Sequence, residues 1–144
     1  MAALQNQVIG YVANLPADLS DKRTQERLSP SAVKGFFEVV RLWKIRDESA
    51  RELLGGVSNG TFYKLKKGQV SRLDVDKLTR ISLVVGIFKA LNILYSQRLA
   101  DAWISRPNTN PMFRGDTPLA YMIKGAVPGM MRVRQLLDAR RGGR

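Results

Sequence analysis

The sequence predicts an all-α fold, a helix-turn-helix unit followed by a small helical module. Three observations point there. Apolar residues recur at spacings of three and four, the period of helices with a buried face. No stretch alternates apolar and polar residues as a half-buried strand does. Ser, Asp, Gly and Pro signals cut the chain into helix-length pieces, and there is no internal repeat. The 144 residues suffice for one domain of common size, or for two small helical ones sharing a core.

Residues 1–28 read as a weakly patterned N-terminal extension. Val8, Ile9, Tyr11 and Val12 suit a short helix before Pro16, and polar Asp18 to Leu28 is given no structure. A stronger element opens with Ser29 as N-cap and Pro30 at the first helical position. Val33, Phe36, Phe37, Val40 and Trp43 then mark one apolar face. A second helix begins around Arg46 to Glu48, runs through Leu54 and stops at Gly55-Gly56. Val57-Ser58 leads into a third, Asn59 to Lys67, ending at Gly68. Residues 29–73 thus form the expected helix-turn-helix domain.

A long helix follows, from about Leu73 or Asp74 to Ser96. Leu78, Ile81, Val85, Phe88 and Tyr95 mark one stripe, and Leu83, Val84, Ile87, Leu91 and Leu94 cover much of the rest. Apolar residues on nearly every side mean two buried surfaces. Two readings stay open: a second surface for a dimer or partner, or a helix threading the middle of a bundle. Asp101 to Ile104 closes another helix, Pro107-Asn108 turns the chain, and Phe113-Arg114-Gly115 forms a loop. Asp116 or Thr117 caps a short helix with Pro118 first, Leu119, Met122 and Ile123 its apolar face, and Gly125 its end. A last helix runs from Pro128 to about Arg140, packing through Met130, Val133, Leu136 and Leu137. Residues 74–144 make the second expected domain, the long helix connecting it to the first.

Lys and Arg number 24 against 12 Asp and Glu, a net charge of +12. Such an excess implies a polyanionic or strongly acidic partner. Cysteine and histidine are absent, which excludes disulfides, thiolate metal sites and Cys or His nucleophile–base pairs. The protein is therefore expected not to be an enzyme and to need no metal or cofactor. Met1 to Pro16 lacks the basic start of a signal peptide. The longest apolar stretch, Ile81 to Tyr95, holds Lys89 and Asn92 and is too short to span a bilayer, so a cytoplasmic protein is expected.

The third helix carries the DNA expectation. Phe62 and Leu65, three apart, suit a face tucked against the preceding helices. Thr61, Lys64 and Lys67 share another face, with Asn59, Tyr63 and Lys66 beside it. Ser58 to Arg72 holds four basic residues and no acid. The expected DNA-binding set is Ser58, Asn59, Thr61, Tyr63, Lys64, Lys66 and Lys67. Its lysines neutralise phosphates, and Asn59 and Thr61 are short enough to reach base edges. The alternative is a capped surface helix whose lysines are only solvated. One such unit binds modestly, so a homodimer on an inverted repeat is expected.

Ordered motifs from Leu28 to the end carry a family resemblance. They begin with Leu53-Leu54-Gly55-Gly56-Val57-Ser58, Arg80-Ile81-Ser82 and Gly86-Ile87-Phe88-Lys89-Ala90-Leu91. Trp103 with Pro107-Asn108, Phe113-x-Gly115-x-x-Pro118-Leu119 and Met122-x-x-Gly125 follow, and then Val133-Arg134-x-x-Leu137-Asp138-Ala139-Arg140-Arg141-Gly142-Gly143. The series resembles Xre-type antitoxins with an Xre/MbcA/ParS toxin-binding domain. The resemblance implies a type II toxin–antitoxin system, in which the antitoxin blocks the cleft of a RES-domain toxin that depletes cellular NAD⁺. It also implies that the complex, as a toxin–antitoxin hetero-oligomer, represses its own operon. Leu65 stands where the family often has Trp, Ala126 where a second Gly is common, and Arg144 where a Trp-containing tail is expected.

The toxin-binding set that follows is Asn108, Phe113, Arg114, Gly115 and Met122, with Arg132, Arg134, Arg140, Arg141 and Arg144. Phe113 and Met122 read by themselves first as core or loop anchors. From residue 75 onward twelve Lys and Arg face four Asp and Glu, a net of +8 that leaves +4 for the first 74 residues. An NAD-cleaving cleft must accept a pyrophosphate, and a catalytic carboxylate there would pair bidentately with arginine, so an Arg-tipped tail suits it as a plug. The alternative is a fraying helix end whose arginines complement the dipole. A free-standing dimeric helix-turn-helix regulator is the alternative function.

Overall fold

The computed structural model describes residues 19–142. The helix expected around Val8 to Val12 and the tail residue Arg144 lie outside the described residues. The described residues hold six α-helices: α1 Lys22–Trp43, α2 Asp47–Leu53, α3 Asn59–Lys66, α4 Val75–Leu94, α5 Gln97–Trp103 and α6 Pro118–Arg140. A 3₁₀ turn, Pro111–Phe113, lies between α5 and α6, and no strand occurs among the described residues.

The first helix starts earlier than Ser29 and Pro30 suggest. Asp21 is its N-cap, accepting from the Thr24 N–H at 3.0 Å and the Thr24 hydroxyl at 2.9 Å. The first two turns, from Lys22 to Leu28, thus form within the polar segment for which the sequence predicts no structure. Ser29 is not a cap but a buried junction. Its hydroxyl donates to the Gln25 carbonyl at 2.5 Å and accepts from the Leu73 N–H at 2.7 Å. Gln25, also buried, donates to the Leu19 carbonyl at 2.7 Å and accepts from Arg72 at 2.6 Å. These bonds fasten the segment before α4 onto α1. Pro30 sits inside the helix, where a proline removes one backbone bond at about 3 kcal/mol or more. Glu26 and Pro30 both lie on the exposed side, where water serves the freed carbonyl. Leu28, Ala32, Val33 and Phe36, all buried, hold the helix through that point.

Asp74 caps α4 by accepting from the Lys77 N–H at 2.9 Å. From Leu78 to Leu91 the helix is buried on most sides, packed against α1, α5 and α6. Of the two readings left open, the structure has the helix threading the bundle. Its ends alone present large exposed apolar residues, Val75 and Ile93. The core is continuous from Leu28 on α1 to Leu137 on α6, so helices on both sides of the expected boundary at 73/74 share it. Contact between α2 and α6 crosses the same boundary.

Thr117 caps α6, accepting from the Ala120 N–H at 3.1 Å, and Pro118 takes the first position as expected. The expected break between Gly125 and Pro128 is a kink within one helix. Ala126 there takes φ 52 and ψ −147. No helix among the described residues is long and apolar enough to cross a membrane.

Candidate functional site

Between α2 and α3 the backbone needs left-handed conformations at two successive residues, Gly55 at φ +97 and Gly56 at φ +83. Gly55 and Gly56 donate back to the Glu52 and Arg51 carbonyls at 3.0 and 2.9 Å, closing α2. Arg51 Nε then donates to the Val57 carbonyl at 2.9 Å, fixing the exit of the turn. Arg80 of α4 reaches across to the Leu53 carbonyl at 3.4 Å while pairing with Asp76 at 3.0 Å. The turn is thus held from α2 and from α4.

Ser58 caps α3: its hydroxyl accepts from the Thr61 N–H at 3.2 Å and donates to the Thr61 hydroxyl at 3.1 Å. Phe62 and Leu65 are buried, and Phe62 meets Phe37 of α1 edge to face at 5.3 Å. That packing turns the opposite side of α3 outward. Ser58, Asn59, Thr61, Tyr63, Lys64, Lys66 and Lys67 are all exposed, Tyr63 at 51%. Lys66 differs from its neighbours, since its Nζ lies 3.2 Å from Asp47 Oδ1 and 5.9 Å from the Phe62 ring centroid. Lys64 and Lys67 form no salt bridge among the described residues, so their charge is fully available at the surface.

The second group of candidates surrounds the loop from Ile104 to Thr117. Asn108 Oδ1 accepts from the Asn110 N–H at 2.9 Å, and Asn110 Oδ1 accepts from the Met112 N–H at 3.0 Å. Arg114 at φ 50 and Gly115 at φ 85 complete the bend and are exposed. Phe113 and Met122 lie inside. Phe113 packs edge-on between Trp103 and Tyr121, with centroids at 6.0 and 5.2 Å, and neither Phe113 nor Met122 presents a surface. As direct toxin contacts these two are corrected: they anchor the loop that displays Arg114.

The arginines of α6 divide by partner. Arg134 Nε donates to both Asp138 carboxylate oxygens at 3.2 Å, and its guanidinium lies over Gly86 of α4, where a Cβ would push it aside. Arg141 shares the same carboxylate at 3.6 Å. Arg132 and Arg140 donate instead to neutral hydroxyls, Tyr121 at 3.4 Å and Tyr95 at 3.1 Å. Two cations on one carboxylate and two on neutral phenols leave most of this charge uncompensated. Sequence reasoning missed Asp47, Tyr95 and Tyr121, whose partners lie 19, 45 and 11 residues away. Arg134–Asp138, four apart, and Arg141–Asp138, three apart, were readable from spacing.

Comparison with known proteins matches the C-terminal part of the chain to a known family. The family described as "Antitoxin Xre/MbcA/ParS C-terminal toxin-binding domain" matches residues 90–143. These run from the second half of α4 through α6 and include both the Arg114 loop and the arginines. The "Uncharacterized protein y4oB" of Sinorhizobium fredii (strain NBRC 101917 / NGR234) is 39% identical over 115 residues, 79% of this chain and 87% of the relative. No solved structure matches. The chain belongs to the Xre/MbcA/ParS antitoxin family, with that family's toxin-binding domain at its C-terminus.

Proposed function

We propose that this antitoxin neutralises a RES-type toxin by placing the arginines of α6 and the Arg114 loop against its NAD-cleaving cleft. The observation that carries the reading is the uncompensated charge of Arg132, Arg140 and the Arg134–Arg141 pair within the toxin-binding domain. A cleft that holds a dinucleotide must favour anions, and guanidinium groups compete for the same carboxylates and pyrophosphate position. The protein acts by occupying the cleft, not by turnover.

The same protein represses its own operon through residues 29–73, used as a helix-turn-helix with α3 in the major groove. Support comes from the two-glycine turn, the buried Phe62 and Leu65, and the acid-free outer face of α3. A homodimer on an inverted repeat, alone or within a toxin–antitoxin hetero-oligomer, supplies the affinity one unit lacks.

The test is a pull-down of tagged full-length protein from its host, with the released partner assayed for NAD⁺ consumption. A near-stoichiometric partner that consumes NAD⁺ only after separation is the expected result. Recovery of DNA alone would favour a free-standing regulator.

A further inference from the structure

The end of α1 and the α5 segment enclose a cleft of about 710 Å³, apart from α3 and from the arginines of α6. Lys44, Arg98 and Arg106 line it, all three exposed and none in a salt bridge among the described residues. Two polar side-chain atoms in its wall have no hydrogen-bond partner, Trp43 Nε1 and Asp101 Oδ1. Trp43 is 2% exposed, so its indole N–H has left water without gaining an acceptor, which buried donors rarely do. The wall therefore offers one unmet donor, one unmet acceptor, two arginines outside any salt bridge among the described residues, and Lys44, whose charge acts on Asp101.

We propose that this cleft binds a short acidic peptide segment of a partner protein. Its carboxylates meet Lys44, Arg98 and Arg106, while a backbone C=O accepts from Trp43 and a backbone N–H donates to Asp101. The reading above enters only in naming the toxin as the source of that segment. A peptide unit fits because it carries donor and acceptor together. A phosphate diester offers acceptors alone and would face the Asp101 carboxylate. Trp43 Nε1 and Asp101 Oδ1 are shielded from bulk water, so a peptide backbone that reaches them displaces the side chains covering them.

The experiment follows the indole ¹H–¹⁵N resonance of Trp43 in the full chain, assigned with Trp103→Phe. Acetyl-hexaglutamate amide is the probe, with inorganic phosphate and a short random-sequence DNA duplex as comparisons. A saturable shift with the peptide is expected, its affinity falling about tenfold or more in Arg98→Glu/Arg106→Glu at an unchanged Tm. Should that variant fail to fold, Lys44→Glu gives the same reading. A resonance unmoved by peptide, or moved equally in the charge-reversed chain, overturns the proposal. So does a shift caused only by phosphate or DNA, which would make this an anion or nucleic-acid site. None of these results bears on NAD⁺ consumption by a captured partner, so the two readings fail separately.

Discussion

At Ala126 the backbone of α6 takes φ 52 and ψ −147, which glycine enters freely and other residues only at about 1–3 kcal/mol. Ala126→Gly removes that strain but frees the unfolded chain, at a cost of about 0.5–1 kcal/mol. Strain wins, and a gain of about 1 kcal/mol is expected, read as a Tm rise of about 3–5 °C in a thermal melt. Two carboxyls respond to pH in opposite senses. The Lys77 N–H holds the Asp74 carboxyl below its usual range, so its contribution is full above about pH 4 and is lost as pH falls below that, through the lowered folded value. Burial pushes the Asp101 carboxyl up, against the opposing pull of Lys44. The folded state holds that proton more tightly than the unfolded chain, so ionised Asp101 destabilises above about pH 4. Asp101→Asn should therefore raise Tm at pH 7, the gain shrinking as the buffer is taken toward pH 4. A gain independent of pH would exclude titration as its cause.

Among the helices, α3 was the most legible. Phe62 and Leu65, three apart, fixed its inner face, and every residue assigned to its outer face is exposed. Its lysines are nevertheless unequal. Lys64→Ala and Lys67→Ala should each flatten the dependence of log K for DNA on log salt by roughly one unit. Lys66, already paired with Asp47, should change the slope less. Three equal slopes would mean that the pair opens on DNA. At the other end of the chain, deletion of residues 140–144 should abolish toxin inhibition while leaving far-UV circular dichroism near that of the full protein. Retained inhibition would move the contact to the Arg114 loop. The start of α1 was less legible because Ser29-Pro30 imitates a helix start. What overrides that signal is the bond from Leu73, 44 residues on, which no local pattern contains.

At the level of the whole chain, the fold class was legible because helix periodicity is local. Length allowed two units to share one core, but which apolar faces build it was not legible, because that depends on which faces meet. Trp43 of α1 lies 6.4 Å from Phe88 of α4, and α2 touches α6, so neither half encloses its own interior. A fragment ending at residue 73 should show no cooperative thermal transition, whereas a sharp one would demonstrate a self-sufficient N-terminal folding unit. Arg80 gives this sharing a thermodynamic meaning. It hangs from α4, which packs against the arginine-bearing helix, and it grips the carbonyl at the turn before α3. Two ligands felt through one such joint are bound by reciprocity. Whatever factor toxin capture imposes on operator affinity, operator occupancy must impose on toxin affinity, so either titration measures both.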